Sequence, residues 1–186
     1  DILYKFPKNK KAIDGIKALS GNTIDKTYDV QDPPQDRLQI MINLYEQGQL
    51  DQALNQATSL LREFPNSVML YNICGVAYHG SGQLDAAISN FEQAISIKPD
   101  YAGTYSNMGL ALQEKNKPEE AIEAYKKALA INPDYGEALS NMGNAFQDQG
   151  KLEESIEVYK KAIDIKPDNA DAHYNLGNAL QDQGKL

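Results

Sequence analysis

Pro65, Pro99, Pro133 and Pro167 stand 34 residues apart each time, and Gly75, Gly109, Gly143 and Gly177 keep the same step. A fixed period of this size means stacked copies of one small unit, each too small to bury its apolar face without a neighbour. In that frame the chain reads as units 34–67, 68–101, 102–135 and 136–169, followed by an incomplete unit 170–186. Small residues then fall in register. The eighth position holds Met41, Gly75, Gly109, Gly143 and Gly177, and the twentieth holds Ala53, Ala87, Ala121 and Ser155. The twenty-fourth holds Ala57, Phe91, Tyr125 and Tyr159, so large rings recur opposite small positions.

Within a unit the apolar residues recur at three and four spacing, as in Ala121, Ile122, Tyr125, Ala128 and Leu129, which is the helical period. Each unit is expected to hold two helices. Gly48, Gly82, Gly150 and Gly184, with Asn116 in the same slot, mark the break between them, because both residue types accept the left-handed conformation that ends a helix. The proline ends the second helix, and the Asp100, Asp134 or Asp168 after it is expected to cap the next one, with Asp134 and Glu137 spaced as a capping box. Close approach of Gly on one helix to Ala on its partner, with a ring filling the groove beside them, gives the repeat its packing logic.

Residues 105–112, Tyr-Ser-Asn-Met-Gly-Leu-Ala-Leu, then 120–129, Glu-Ala-Ile-Glu-Ala-Tyr-Lys-Lys-Ala-Leu, then Asn132-Pro133, resemble the tetratricopeptide repeat throughout. The resemblance covers 68–186 strongly and 34–67 adequately. Its wording in the later units is similar to the arrays of O-linked N-acetylglucosamine transferases and of bacterial proteins that join such repeats to transferase domains. It implies an all-α helix-turn-helix solenoid, a right-handed superhelix whose first helices line a concave groove.

The first unit departs from that pattern, with Met41 where Gly is expected, Leu60 where Ala is expected and Ala57 where a ring is expected. A larger residue beside a smaller one conserves volume, which cores tolerate. Upstream, 1–33 reads as a degenerate helical repeat or linker: Phe6-Pro7 echoes Phe64-Pro65, Lys8 to Leu19 reads as a first helix, and Gly21, Asn22 and Pro33-Pro34 mark irregular chain. The start at Asp1-Ile2-Leu3-Tyr4, without Met, reads as a fragment. At the other end, an incomplete unit leaves one helix face unpaired and inclined to self-association.

Composition excludes several classes of function. With 18 Lys+Arg against 26 Asp+Glu the chain carries −8, which weighs against nucleic acid and favours a basic client. The single Cys rules out an internal disulfide framework, apolar runs fall far short of the ~20 residues that span a bilayer, and the cytoplasm is the default compartment. His79 and His173 fall at different repeat positions without carboxylate or thiol partners, so a metal site is not expected. Cys74 occupies an inward apolar position shared with Met108 and Met142, which fits a packed thiol better than a nucleophile. No phosphate loop or nucleophile elbow appears, so neither catalysis nor a cofactor is expected.

By resemblance to the family, positions two, five, nine, twelve and thirteen of the first helices face the groove, with position six close by. The first units place Leu38, Ile42, Tyr45, Met69, Asn72, Val76 and His79 there, an apolar stretch suited to anchoring side chains. Later units place Leu110 there together with acidic and amide residues, among them Glu114, Asn144, Asp148, Asn178 and Asp182. Asn107, Asn141 and Asn175 at position six resemble the asparagine ladder of the transferase arrays, whose amides hydrogen-bond an extended backbone. Positions five and nine carry no Lys or Arg, so the carboxylate clamp of some family members is absent. The expected function is non-catalytic docking of a protein or peptide, with neither nucleic acid nor membrane as partner. Two alternatives stay open: the recruiting region of a longer glycosyltransferase or sulfotransferase-type enzyme, and a homo-oligomeric array joined through the incomplete repeat.

Overall fold

The computed structural model describes residues 31–184 and consists, among those residues, of α-helices and turns without a strand. In chain order the helices are α1 (Gln35–Glu46), α2 (Leu50–Leu61), α3 (Val68–Gly80), α4 (Leu84–Ile97), α5 (Ala102–Glu114), α6 (Pro118–Ile131), α7 (Gly136–Asp148), α8 (Leu152–Ile165) and α9 (Ala170–Asp182). The expected irregular repeat over 1–30 lies outside the described residues. The chain divides into two compact units, one ending at Asn107 and the other beginning at Met108, within α5.

Each helix pair is closed by the same turn. Gln49, Gln83, Lys117 and Lys151 donate their backbone N–H to the carbonyls of Leu44, Tyr78, Leu112 and Phe146, each at 2.9 Å. This is the six-to-one bond of a Schellman ending, and it needs a left-handed residue just before the donor. Gly48, Gly82 and Gly150 supply it with φ of 73°, 77° and 70°, and Asn116 supplies it with φ 61°. Second helices stop two residues before proline: α4, α6 and α8 end at Ile97, Ile131 and Ile165, ahead of Pro99, Pro133 and Pro167.

Capping departs from expectation. Asp134 and Asp168 do not cap α7 and α9, whose N-caps are Tyr135, with no side-chain bond, and Asn169, whose Oδ1 accepts from Ala172 N at 3.2 Å. The expected box of Asp134 with Glu137 is therefore absent. The cause is an added turn after the proline, in which Gly136 N bonds Asp134 O at 2.8 Å and Asn169 N bonds Lys166 O at 3.0 Å, so each Asp sits too early to reach a helical N–H.

In the first compact unit, α1 pairs with α2 and α3 with α4, and α2 also packs on α3. Its core is centred on Phe91, Met41, Leu70 and Ile73, all fully buried. A Cβ added to Gly75 would lie less than 3.0 Å from the Phe91 ring, so the helices touch where Gly offers no side chain. Met41 and Ala57, which reverse that size order, are both fully buried.

In the second compact unit α6 packs on α7, α7 on α8, and α8 on α9, with α7 also touching α9. Gly109 faces the Tyr125 ring and Gly143 the Tyr159 ring, again closer than 3.0 Å to where a Cβ would stand. Between repeats, Gln149 Nε2 donates to Glu119 Oε1 at 2.8 Å, and Gln183 Nε2 donates to Glu153 Oε1. Gly177 is different, with nothing within 4 Å of its would-be Cβ. This contrast yields a paired prediction for urea denaturation. Gly143→Ala destabilises by about 1–2 kcal/mol because overpacking against a buried ring outweighs the helical gain, whereas Gly177→Ala stabilises by up to about 1 kcal/mol.

Candidate functional site

Polar first-helix residues of the second compact unit form a row of two hydrogen-bonded sets, one period apart. On α7, Asn144 Oδ1 accepts from the Tyr159 hydroxyl at 2.6 Å and from Asn175 Nδ2 of α9 at 3.0 Å. The same Tyr159 hydroxyl approaches Gln147 Oε1 at 3.2 Å, and Gln147 Nε2 donates to Asp182 Oδ2 at 2.9 Å. The pattern repeats one period earlier, where the Tyr125 hydroxyl donates to Gln113 Oε1 at 3.3 Å and Gln113 Nε2 donates to Asp148 Oδ2. A ring that fills the glycine notch thus uses its hydroxyl to orient a glutamine, and that glutamine orients an acid on the next first helix.

Asn141 lies beside this row on α7. It is only 2% exposed, yet its Nδ2 has no hydrogen-bond partner. A buried amide nitrogen left unsatisfied costs about 1–3 kcal/mol. Asn144 uses its oxygen internally and presents its nitrogen, while Asn175 uses its nitrogen on Asn144 and presents its oxygen. Asn141 and Asn144 thus have a donor to spare and Asn175 an acceptor. Glu114, Asp148 and Asp182 are exposed along the same row, and Leu110 and Asn178 are half-buried.

Two expected site residues lie in the first compact unit. Asn72 is fully buried, its Nδ2 donates to Val68 O at 3.0 Å and its Oδ1 accepts from Thr104 Oγ1 at 3.0 Å. Asn107 is buried as well. The apolar stretch expected to anchor side chains is also closed, since Leu38, Ile42, Tyr45, Met69, Val76 and His79 are all buried.

What sequence reasoning missed is the Tyr–Gln–Asp relay. Its signal was present as Gln113, Gln147 and Gln181 at position twelve, each followed by Glu or Asp, with Tyr125 and Tyr159 at position twenty-four. Burial pushes the Cys74 thiol up to about 12, so it stays protonated and packed. His173 Nε2 meets Pro167 O at 2.9 Å, and no group of three or more His, Cys, Asp or Glu among the described residues is placed to hold a metal. No helix among the described residues is long and apolar enough to cross a membrane.

Burial, with the Asp148 charge behind it, holds the Tyr159 hydroxyl above its ordinary value of 10.0. The folded chain thus keeps a proton that the unfolded chain loses, so this contribution is present below about pH 10 and lost as pH rises beyond it. Tyr159→Phe is expected to cost about 1 kcal/mol at neutral pH and to make the alkaline fall in stability shallower, as read from urea melts at pH 7 and 11.

A model of the TPR repeat matches residues 75–116, 110–150 and 143–184, and a second, described as tetratricopeptide repeat, matches 37–67. No curated protein matches the chain. Among solved structures, the chain is similar to MamA at 27% identity and a TM-score of 0.71, covering 78% of this chain and 85% of that one. It is similar to the first TPR of Spaghetti (RPAP3) bound to the HSP90 peptide SRMEEVD, at 25% identity and a TM-score of 0.61, covering 63% of this chain and 93% of that one. A Pseudomonas aeruginosa pilF structure shares the fold, at 17% identity and a TM-score of 0.75, covering 81% of this chain and 69% of that one. With recurring helix pairs, one shared turn and repeat matches over most of its length, the chain belongs to the tetratricopeptide repeat family.

Proposed function

We propose that the chain is a non-catalytic docking scaffold built from units 34–67, 68–101, 102–135, 136–169 and 170–186. Its second compact unit takes an extended, Lys- or Arg-bearing peptide segment along the first-helix face of α7 and α9. The observation that carries this reading is the buried, unpartnered Nδ2 of Asn141 beside the fixed amides of Asn144 and Asn175. Such a row grips backbone and is indifferent to side chains, so selectivity falls to the acids Glu114, Asp148 and Asp182, at the same position of successive repeats. The peptide bound by the RPAP3 repeat carries two glutamates and a terminal aspartate. No cation stands at positions five or nine here to meet such a peptide, and the acidic row favours the opposite charge.

A second reading, end-to-end association through α9, draws on the open space around Gly177 and on Tyr174, which is 70% exposed. The docking reading is tested by selecting binders from an extended-peptide display library and measuring fluorescence anisotropy with the best of them. Asn141→Ala is expected to weaken binding about tenfold, ~1.4 kcal/mol, while leaving the free protein no less stable, because the variant removes an unsatisfied donor. Undiminished binding by that variant would remove the amide row from the mechanism.

A further inference from the structure

Two acids of the first-helix row are held in one orientation and at one interval. Asp148 and Asp182 occupy the same position of successive repeats, and both are exposed. In each, Oδ2 accepts the side-chain amide of a glutamine on the preceding first helix, Gln113 for Asp148 and Gln147 for Asp182, the latter at 2.9 Å. One oxygen of each carboxylate is therefore engaged, and Oδ1 is left for a ligand. Gln147 Oε1 in turn meets the Tyr159 hydroxyl at 3.2 Å, so the glutamine that holds Asp182 is itself held. Asn141 and Asn144 lie seven and four residues before Asp148, on the same stripe of α7. The Asn141 side chain is 2% exposed and its Nδ2 has no partner, so an unspent amide donor accompanies the acids.

The interval selects a ligand conformation. Helices α7 and α9 touch directly, and Asn144 Oδ1 of one accepts from Asn175 Nδ2 of the other at 3.0 Å. Helices in contact run about 8–10 Å apart, which sets the distance between equivalent acids on them. A β-strand places side chains of one face about 6.7 Å apart at i and i+2, or about 13 Å apart at i and i+4. A polyproline II segment has three residues per turn and rises ~3.1 Å per residue, so i and i+3 share a side about 9.3 Å apart. That spacing alone matches the row. Such a segment makes no internal hydrogen bonds, which leaves its carbonyls and N–H groups to the asparagine amides.

The engaged oxygen selects the cation. Arg pairs best through two parallel N–H bonds, one to each carboxylate oxygen, whereas Lys is a point charge that one oxygen can serve. We propose that the row reads lysine at every third residue: a polyproline II segment bearing Lys-x-x-Lys sets one ammonium on Asp148 and the next on Asp182, in preference to other spacings and to arginine. Gln113 and Gln147 are positioning residues that set the preference through the carboxylates they hold. The inference rests on the docking reading above and adds to it the conformation, spacing and cation of the segment.

The test measures fluorescence anisotropy of short labelled Ala/Pro peptides that carry two Lys separated by one, two or three residues. An Arg-x-x-Arg counterpart and the best library-selected binder are measured beside them, all against the full chain. Lys-x-x-Lys is expected to bind about tenfold more tightly than the other two spacings and severalfold more tightly than Arg-x-x-Arg. Asp182→Asn is expected to abolish the spacing preference. Gln147→Ala is expected to narrow the gap between Lys and Arg by freeing Oδ2, a change in selectivity that a purely structural role for Gln147 would not produce. Equal affinity across the spacings, or tightest binding at the one-residue spacing, overturns the inference while a bound library peptide leaves docking intact. Arg-x-x-Arg binding as tightly as Lys-x-x-Lys contradicts the role given to the engaged oxygen. Failure of the library peptide and of every designed peptide removes docking itself, and this inference with it.

Discussion

A ring pressed onto a glycine sixteen residues earlier holds three of the four complete repeats together: Phe91 on Gly75, Tyr125 on Gly109, Tyr159 on Gly143. The contact is closer than any side chain at the glycine would permit, so it fixes the depth to which a second helix settles on its first. Everything nearby follows from that depth. The left-handed residue at the turn and the proline at the end set the helix lengths that bring glycine and ring to the same level, and the fully buried rings anchor the core of each pair.

The ring's identity then decides what the first helix can present. Tyr125 and Tyr159 carry hydroxyls that reach Gln113 and Gln147, and those glutamines reach Asp148 and Asp182. Phe91 has no hydroxyl, and position twelve of its repeat is His79, so the relay has neither its donor nor its amide in that repeat. In the earliest repeat Ala57 replaces the ring altogether and Met41 fills the notch from the other helix. Loss of the ring hydroxyl thus accompanies an apolar first-helix face, and its presence accompanies a polar one. Packing and surface chemistry are linked through a single side chain.

Much of this was legible in the sequence because the period exposes it. A 34-residue step identifies turns, helix ends and ring-to-glycine pairs without any knowledge of coordinates, since each is a local consequence of residue type. Caps were less legible, because Asp134 and Asp168 fail by a single residue of turn geometry. Individual site residues were least so. Asn72 and Asn144 both lie on first-helix positions expected to face the groove. Asn72 is consumed by Thr104, in the next repeat, while Asn144 is held by Tyr159 and Asn175 and still faces the row. Which amide is spent and which is offered depends on side chains some thirty residues away, and no period encodes that choice.

The most direct measurement is a side-chain amide NMR titration of the ¹⁵N-labelled protein with a library-selected peptide. If the second unit grips peptide backbone through its asparagine row, the Asn141 Nδ2 resonances shift most and gain protection from solvent exchange, with Asn144 and Asn175 moving beside them. If those resonances stay fixed while backbone amides of α6 and α8 move, the peptide sits on the second helices and the account of the row as a docking site is wrong.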